Sequence, residues 1–123
     1  MNCFAKFLAT RAISIGHALA GLRYALKTQA NARVHLVATI LVVSLGAGLE
    51  ISALEWAAIL AALALVWMAE LLNTAIEILC DIVSLERLET IKRAKDVAAA
   101  AVLVSAVAAA GIGAAIFLPH LVH

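Results

Sequence analysis

Three acids and one amide recur at helical spacing inside a strongly hydrophobic stretch of this chain. These four polar residues are Glu70, Asn73, Glu77 and Asp81. At about 100° per residue they share one face of a helix, over an arc of roughly 80° and a length of roughly 16 Å. Because a carboxylate is costly in hydrocarbon, this face is not expected to contact lipid. The row predicts either a site that holds a cation or moves a proton, or a polar seam that only joins helices.

A second group of charged residues follows in the segment 84–96, SLERLETIKRAKD, which is predicted to connect two helices. It ends in RAKD (93–96), close to the end of the acid row. Carboxylates for Mg²⁺, cations for phosphate and a base for a hydroxyl are what phosphoryl transfer requires. The alternative is a solvated basic patch beside anionic lipid headgroups. The sequence has no P-loop and no kinase glycine-rich loop, so a nucleotide would have to be bound in another way.

The composition places these polar groups in an integral membrane protein. Of the 123 residues, 66% are hydrophobic, and the mean hydropathy is +1.09. A soluble domain of this length cannot bury so much apolar surface, whereas lipid is the solvent of a membrane protein. The net charge of +1 gives no indication of a nucleic-acid partner. The two cysteines are far apart in sequence and form no metal-binding or redox motif.

We predict a single all-α domain, residues 1–123, with three membrane-spanning helices. The expected spans are residues 31–49, 54–83 and 97–118. The second span carries the acid row. The third is rich in alanine, contains two glycines that permit close helix contact, and is expected to end at Pro119. An acid row of this length is difficult to bury within one small subunit, so an oligomer is expected.

The N-terminal region, residues 1–30, is predicted to form an amphipathic helix at the membrane interface. Its apolar face comprises Phe4, Leu8, Ile15, Leu19 and Leu22. Such a helix lies on the membrane with its apolar side in the lipid. The alternative is a signal peptide, because the sequence ALA (18–20) resembles a cleavage site.

The distribution of basic residues predicts the topology. Residues 1–33 contain five lysines and arginines, the segment 84–96 contains four, and the short connection 50–55 contains none. The positive-inside rule then puts the N-terminus and the segment 84–96 in the cytoplasm and the C-terminus outside. The protein is expected to be a multi-pass protein of the inner or plasma membrane, with the acid row in the cytoplasmic half of the second span.

Several sequence motifs resemble those of the small prokaryotic diacylglycerol kinase family, which includes undecaprenol kinases. They are GLRYALKT (21–28), ELLNTAIE (70–77), Asp81 and AKDVAAAAVL (94–103). The resemblance extends from about residue 10 to Leu118 without an obvious gap. The EW pair (55–56) and the IFLP ending (116–119) are more similar to the undecaprenol kinase branch than to the diacylglycerol branch.

The resemblance implies a homotrimer of three-span subunits, each with an N-terminal surface helix. It implies a kinase that transfers the γ-phosphate of ATP to a lipid hydroxyl, that of diacylglycerol or undecaprenol, at the cytoplasmic face. The implied cofactor is Mg²⁺, and the implied partners are a lipid alcohol, ATP and membrane lipids.

The resemblance also implies roles for individual residues. Glu70 matches the catalytic base, Asn73 orients the substrate or Glu70, and Glu77 matches a metal ligand. Gln29 stands where the family usually has a second acidic metal ligand, and an amide oxygen brings no charge to Mg²⁺. The residues expected to bind ATP are His17, Glu77, Glu86, Lys95 and Asp96. The residues expected to bind the lipid are Arg23, Arg33, Trp56 and Glu70.

A non-enzymatic alternative is a small membrane protein such as a subunit of a proton-coupled transporter, in which Glu70 and Glu77 relay protons. A transporter needs a site that is accessible from both sides of the membrane. Residues 57–69 contain no ionisable side chain, which argues against a path through the second span. ATP consumption that depends on an added lipid would distinguish the two functions.

Overall fold

The structure, a computed structural model, describes residues 2–83 and 88–122. The described residues form four helices, which confirms the all-α prediction. They are α1 (Cys3–Thr28), α2 (Ala30–Gly48), α3 (Ala53–Val83) and α4 (Glu89–Val122). By length and composition, α2, α3 and α4 can each cross a membrane. Three helices of this kind match the number of spans expected from the sequence.

Most of the spanning surface is exposed in the single chain. The most apolar stretches of α2 and α4 are each 11% buried, and that of α3 is 33% buried. α3 is therefore the central helix, and it packs along much of its length against α4. The outward surfaces of α2 and α4 suit contact with lipid or with another subunit. Neither lipid nor an apolar subunit interface requires polar side chains on these helices.

The fourth helix differs from its predicted limits at both ends. It begins at Glu89, so residues 89–96 of the expected connection belong to its first turns. It also continues through Pro119 to Val122, so the prediction that proline ends this helix is wrong. Proline removes one helical hydrogen bond and crowds the preceding turn. Only three helical residues follow it, so little helix lies beyond the distortion.

Local capping sequences determine the sharp turn between α2 and α3. Glu50 has a φ of 51°, and the Ile51 amide donates to the Gly46 carbonyl at 3.3 Å, which is a Schellman ending. The amide and hydroxyl of Ser52 both donate to Oε2 of Glu55 at 2.7 Å. The Glu55 amide is 3.3 Å from the Ser52 hydroxyl, completing a capping box. These bonds reverse the chain, so that α2 and α3 run side by side in opposite directions.

A single extended residue separates the first two helices. Gln29 has φ −98° and ψ 122°, while its amide still donates to the carbonyl of Ala25 at 2.8 Å. Ala25 and Ala32, on either side of this break, are fully buried. The small side chains allow close packing where α1, α2 and α3 meet. The break lets the Gln29 side chain project toward α3.

Candidate active site

The acid row on α3 runs from the protein interior to its surface. Glu70 is 0% exposed and Asn73 is 5% exposed. Glu77 is half-buried and Asp81 is exposed. The four side chains therefore occupy different environments, although they recur at regular spacing. A buried acid next to more exposed acids suits two different roles. The buried carboxylate can accept or donate a proton, and the more exposed carboxylates can bind a soluble substrate.

Glu70 presents an unpaired carboxylate to the interior. Neither of its carboxylate oxygens has a hydrogen-bond partner among the described residues. Nε2 of His35 on α2 lies 3.9 Å from Glu70 Oε2. The Thr74 hydroxyl donates to the Glu70 backbone carbonyl at 2.9 Å and so does not engage the carboxylate. The carboxylate therefore keeps unused hydrogen-bond acceptors inside the protein, as far as the described residues show.

Glu77 is held by two amide side chains, one from each side. Gln29 Nε2 donates to Glu77 Oε2 at 3.1 Å. Asn73 Nδ2 donates to Glu77 Oε1 at 3.1 Å. The structure thus brings together three residues that the sequence assigned to the site. The extended backbone at Gln29 makes the first of these contacts possible.

A further pair connects the end of α3 to the start of α4. Lys95 Nζ donates to Asp81 Oδ1. The next residue, Asp96, is exposed and lies 3.7 Å from Lys92 Nζ. Lys95 therefore stands beyond Glu77 along the acid row, with a cationic group beside the acids. Glu86, the other acid expected here, lies outside the described residues.

A cleft between α2, α3 and α4 opens beside the buried part of the row. Its volume is about 220 Å³, and its lining includes His35, Asn73, Val34, Val102 and Ala106. Asn73 Oδ1 is buried and has no hydrogen-bond partner among the described residues. Polar groups set in apolar walls suit a molecule that has a hydroxyl at the end of a long apolar chain.

Three other predicted site residues lie at the surface of α1 and α2. His17, Arg23 and Arg33 are exposed, and Arg33 Nη1 donates to the Lys27 carbonyl at 3.2 Å. Their side chains face outward, so a lipid headgroup could reach them.

Trp56 lies near the other end of α3, where it packs against a small core of Ile51, Ile59 and Phe117. A β-carbon on Gly46 would come within 3.0 Å of the Trp56 ring. Trp56 precedes Glu70 by fourteen residues, or roughly 21 Å of helix, so the structure does not bring it to the acid row.

His35 is a site residue that the sequence pattern did not predict. Like the acids of α3, it is a titratable side chain inside a predicted span. A single histidine has no periodic pattern that would mark it. Only the packing of α2 against α3 places it opposite Glu70.

The residues present fit a magnesium ion that a nucleotide brings with it. Among the described residues, no three His, Cys, Asp or Glu side chains gather into a metal cluster. Mg²⁺ bound through one or two carboxylates plus substrate phosphates needs no such cage. Glu77 supplies a carboxylate, and Gln29 could turn its amide to present oxygen. This is a partial ligand set, of the kind that phosphate oxygens complete.

Comparison with known proteins identifies the family. Residues 16–117 match the family described as prokaryotic diacylglycerol kinase. The chain belongs to this family. The resemblance inferred from the sequence motifs is thereby confirmed, and it is a family of lipid kinases. With three helices able to span a membrane, this family member is a multi-pass membrane protein.

Individual relatives carry two different names. The chain is 39% identical over 110 residues to a diacylglycerol kinase of Synechocystis, covering 89% of this chain and 63% of that protein. It is 39% identical over 108 residues to an undecaprenol kinase of Bacillus subtilis, covering 88% of each. It is 36% identical over 94 residues to a diacylglycerol kinase of Escherichia coli, covering 76% of this chain and 77% of that protein. The chain thus spans less than two thirds of the Synechocystis relative.

Proposed function

We propose that this protein transfers the γ-phosphate of ATP to the hydroxyl of a membrane lipid, diacylglycerol or undecaprenol, at the cytoplasmic face. The observation that carries the proposal is the buried, unpaired carboxylate of Glu70. It lies one turn from Asn73, which lines the cleft and bonds to Glu77. In a family of lipid kinases, this arrangement suits a base next to a nucleotide site.

Glu70 takes the role of general base. As the lipid hydroxyl oxygen attacks the γ-phosphorus, its proton passes to the Glu70 carboxylate, and the bond to ADP breaks. The products are a lipid phosphate, ADP and a proton that Glu70 later releases. Glu70 has no hydrogen-bond donor to satisfy it among the described residues, so the hydroxyl is its natural partner. Asn73 positions that hydroxyl or the carboxylate itself.

The partly exposed end of the row takes the nucleotide. Glu77 and Gln29 would hold Mg²⁺, which supplies positive charge to the ATP phosphates when it is bound. Lys95 offers a cation, and a phosphate would compete with Asp81 for it. Asp96 lies beside Lys95 and is exposed to solution. His17 and Glu86 complete the set of residues proposed to bind ATP.

The proposal also includes a lipid-binding site and an assembly of subunits. Arg23 and Arg33, being exposed and basic, are suited to lipid headgroups or to the substrate's polar end. Trp56 is proposed to bind the lipid away from the reacting hydroxyl. The subunits form a homotrimer, for which the exposed apolar surfaces of α2 and α4 offer contact area. α1 lies on the cytoplasmic surface of the inner or plasma membrane.

A radiolabelling assay tests the proposed reaction. The purified protein is given γ-labelled ATP, Mg²⁺ and one lipid alcohol at a time, with diacylglycerol and undecaprenol tested separately. We expect label in one lipid phosphate, and labelling that is slower by about 10²-fold or more when Glu70→Gln replaces the wild type. The equal identity to two differently named relatives makes the lipid panel necessary. A folded wild-type protein that labels no lipid would contradict the proposal and favour a transporter.

A further inference from the structure

His35 and Glu70 face each other inside the protein as a buried polar pair. The His35 side chain is 14% exposed and that of Glu70 is 1% exposed. His35 Nε2 and both Glu70 carboxylate oxygens are buried, and none has a hydrogen-bond partner among the described residues. Buried polar groups usually form hydrogen bonds. A buried imidazole and carboxylate that face each other without one therefore need an explanation.

We propose that His35 is the positioning residue of the base. Its Nε2–H donates to Glu70 Oε2 and holds the carboxylate so that Oε1 is turned toward the lipid hydroxyl. This inference rests on the proposed function, because it gives Glu70 the proton of that hydroxyl. His35 acts through Glu70 and does not itself receive the phosphate or the proton.

The distance permits this bond after a small movement. Nε2 and Oε2 are 3.9 Å apart, about 1 Å more than a hydrogen bond. Hydrogen bonds of catalytic groups are often long before the substrate binds and shorten in the productive complex. A change of ring or carboxylate rotation is sufficient, since the two groups lie on adjacent helices. Neither His35 Nε2 nor a Glu70 carboxylate oxygen has a hydrogen-bond partner among the described residues.

Two consecutive hydrogen bonds fix the position of His35 along α3. Trp67 Nε1 donates to the Thr39 hydroxyl oxygen at 3.0 Å. The same hydroxyl donates to the His35 backbone carbonyl at 2.7 Å. Trp67 precedes Glu70 by three residues, nearly one turn. Two side-chain bonds thus connect the turn of α2 that carries His35 to the turn of α3 that carries the base.

The location of the ring also suits a role beside the substrate. His35 and Asn73 line the same cleft of about 220 Å³. His35 also lines an adjoining groove of about 270 Å³, whose other walls are mainly alanine, valine, leucine and isoleucine. A lipid hydroxyl in the first cleft would lie close to the imidazole and to Asn73. Glu70 is not itself among the residues that line this cleft. Its carboxylate must therefore be turned toward the cleft, and this is the task we assign to His35.

Kinetic analysis of two substitutions tests the proposal. His35→Leu removes the donor, whereas His35→Gln keeps an N–H group near the position of Nε2. We expect His35→Leu to lower kcat by roughly 10-fold or more with little change in the KM for MgATP, and His35→Gln to recover most of the loss. His120→Leu is the matched control, because His120 Nε2 lies 3.8 Å from Glu55 Oε1 away from the site. It should leave kcat unchanged.

A double substitution separates positioning from an independent role. Since His35 acts only through Glu70, adding His35→Leu to Glu70→Gln should cause no further loss of kcat. The proposal is overturned if His35→Leu retains kcat within about twofold of wild type, if His35→Gln is as impaired as His35→Leu, or if the two losses multiply.

A spectroscopic measurement decides the same question without kinase activity. Nitrogen NMR of histidine-labelled protein gives the signal of His35 Nε2, which His35→Gln identifies by its loss. We expect that signal to shift in Glu70→Leu and to remain in place in Glu89→Leu, because Glu89 is exposed and pairs with Arg93 on its own helix. An unchanged His35 signal in Glu70→Leu would overturn the proposal. If wild type phosphorylates no lipid while the shift is observed, the proposed function fails and the His35–Glu70 contact stands.

Discussion

Gln29→Glu tests whether residue 29 belongs to the metal site. In the structure Gln29 Nε2 donates to Glu77 Oε2 at 3.1 Å. The substitution removes this bond to a charged group, worth about 1.5–3 kcal/mol. It also puts two carboxylates next to each other. At 3.1 Å and an effective dielectric constant of about 20, their repulsion is about 5 kcal/mol before either side chain moves away.

The same change should improve the metal site. A second charged ligand offsets the repulsion when Mg²⁺ is bound, and we assign it about 1–3 kcal/mol by analogy with charge-assisted hydrogen bonds. That corresponds to a roughly 5- to 150-fold lower Mg²⁺ concentration for half-maximal activity. Turnover at saturating Mg²⁺ should change less, because Glu77 and the ATP phosphates hold the ion in both proteins.

Two measurements test the predicted loss of stability without metal and the predicted gain in Mg²⁺ affinity. Mg²⁺ titrations at fixed ATP give the concentration for half-maximal activity, and thermal unfolding in EDTA or excess Mg²⁺ with nucleotide gives the stability. Gln29→Glu should unfold earlier than wild type in EDTA and regain stability with metal. Gln29→Leu, the control, removes the amide without adding charge and should not regain it. Superimposable Mg²⁺ curves for wild type and Gln29→Glu would refute the reasoning and separate residue 29 from the metal.

Three further predictions concern the base, the topology and the assembly. Glu70→Gln should lower turnover by about 10²-fold or more while MgATP binding persists, because an amide cannot accept the hydroxyl proton; near-normal turnover would remove Glu70 from this role. In a background without native cysteines, Val122→Cys should react with an impermeant thiol reagent on intact cells and Thr90→Cys should not, whereas the reverse pattern would invert the topology. Native mass measurement in mild detergent should give a trimer, and a monomer alone would count against the proposed assembly.

The sequence was sufficient to predict the membrane-spanning helices and the family. Apolar runs of membrane-spanning length predict α2, α3 and α4, because the backbone must satisfy its own hydrogen bonds in lipid. Helix ends were less predictable. Pro119 was expected to end α4, yet the helix continues for three residues beyond it. The charged residues 89–96 were predicted to belong to a connection, but they are helical. Charged side chains are compatible with a helix that extends beyond the membrane.

Individual contacts in the site depended on residues far apart in the chain. Gln29 and Glu77 are separated by 48 positions and meet through a hydrogen bond. The family resemblance predicts that both bind a metal, but only the tertiary structure shows that the extended residue before α2 lets Gln29 reach the acid. Trp56, which is expected to bind the lipid, lies about 21 Å along α3 from Glu70 and packs against the turn that follows α2.

By itself, the sequence determined that four polar residues share one face of a membrane helix, since a period of about 3.6 residues follows from backbone geometry alone. Only the tertiary structure decided that a single subunit buries Glu70 completely and leaves Asp81 exposed. It also decided that His35 faces Glu70, at 3.9 Å. Burial and cross-helix distances depend on how α2 and α4 pack against α3. That packing arises from contacts between distant segments, which no local spacing encodes.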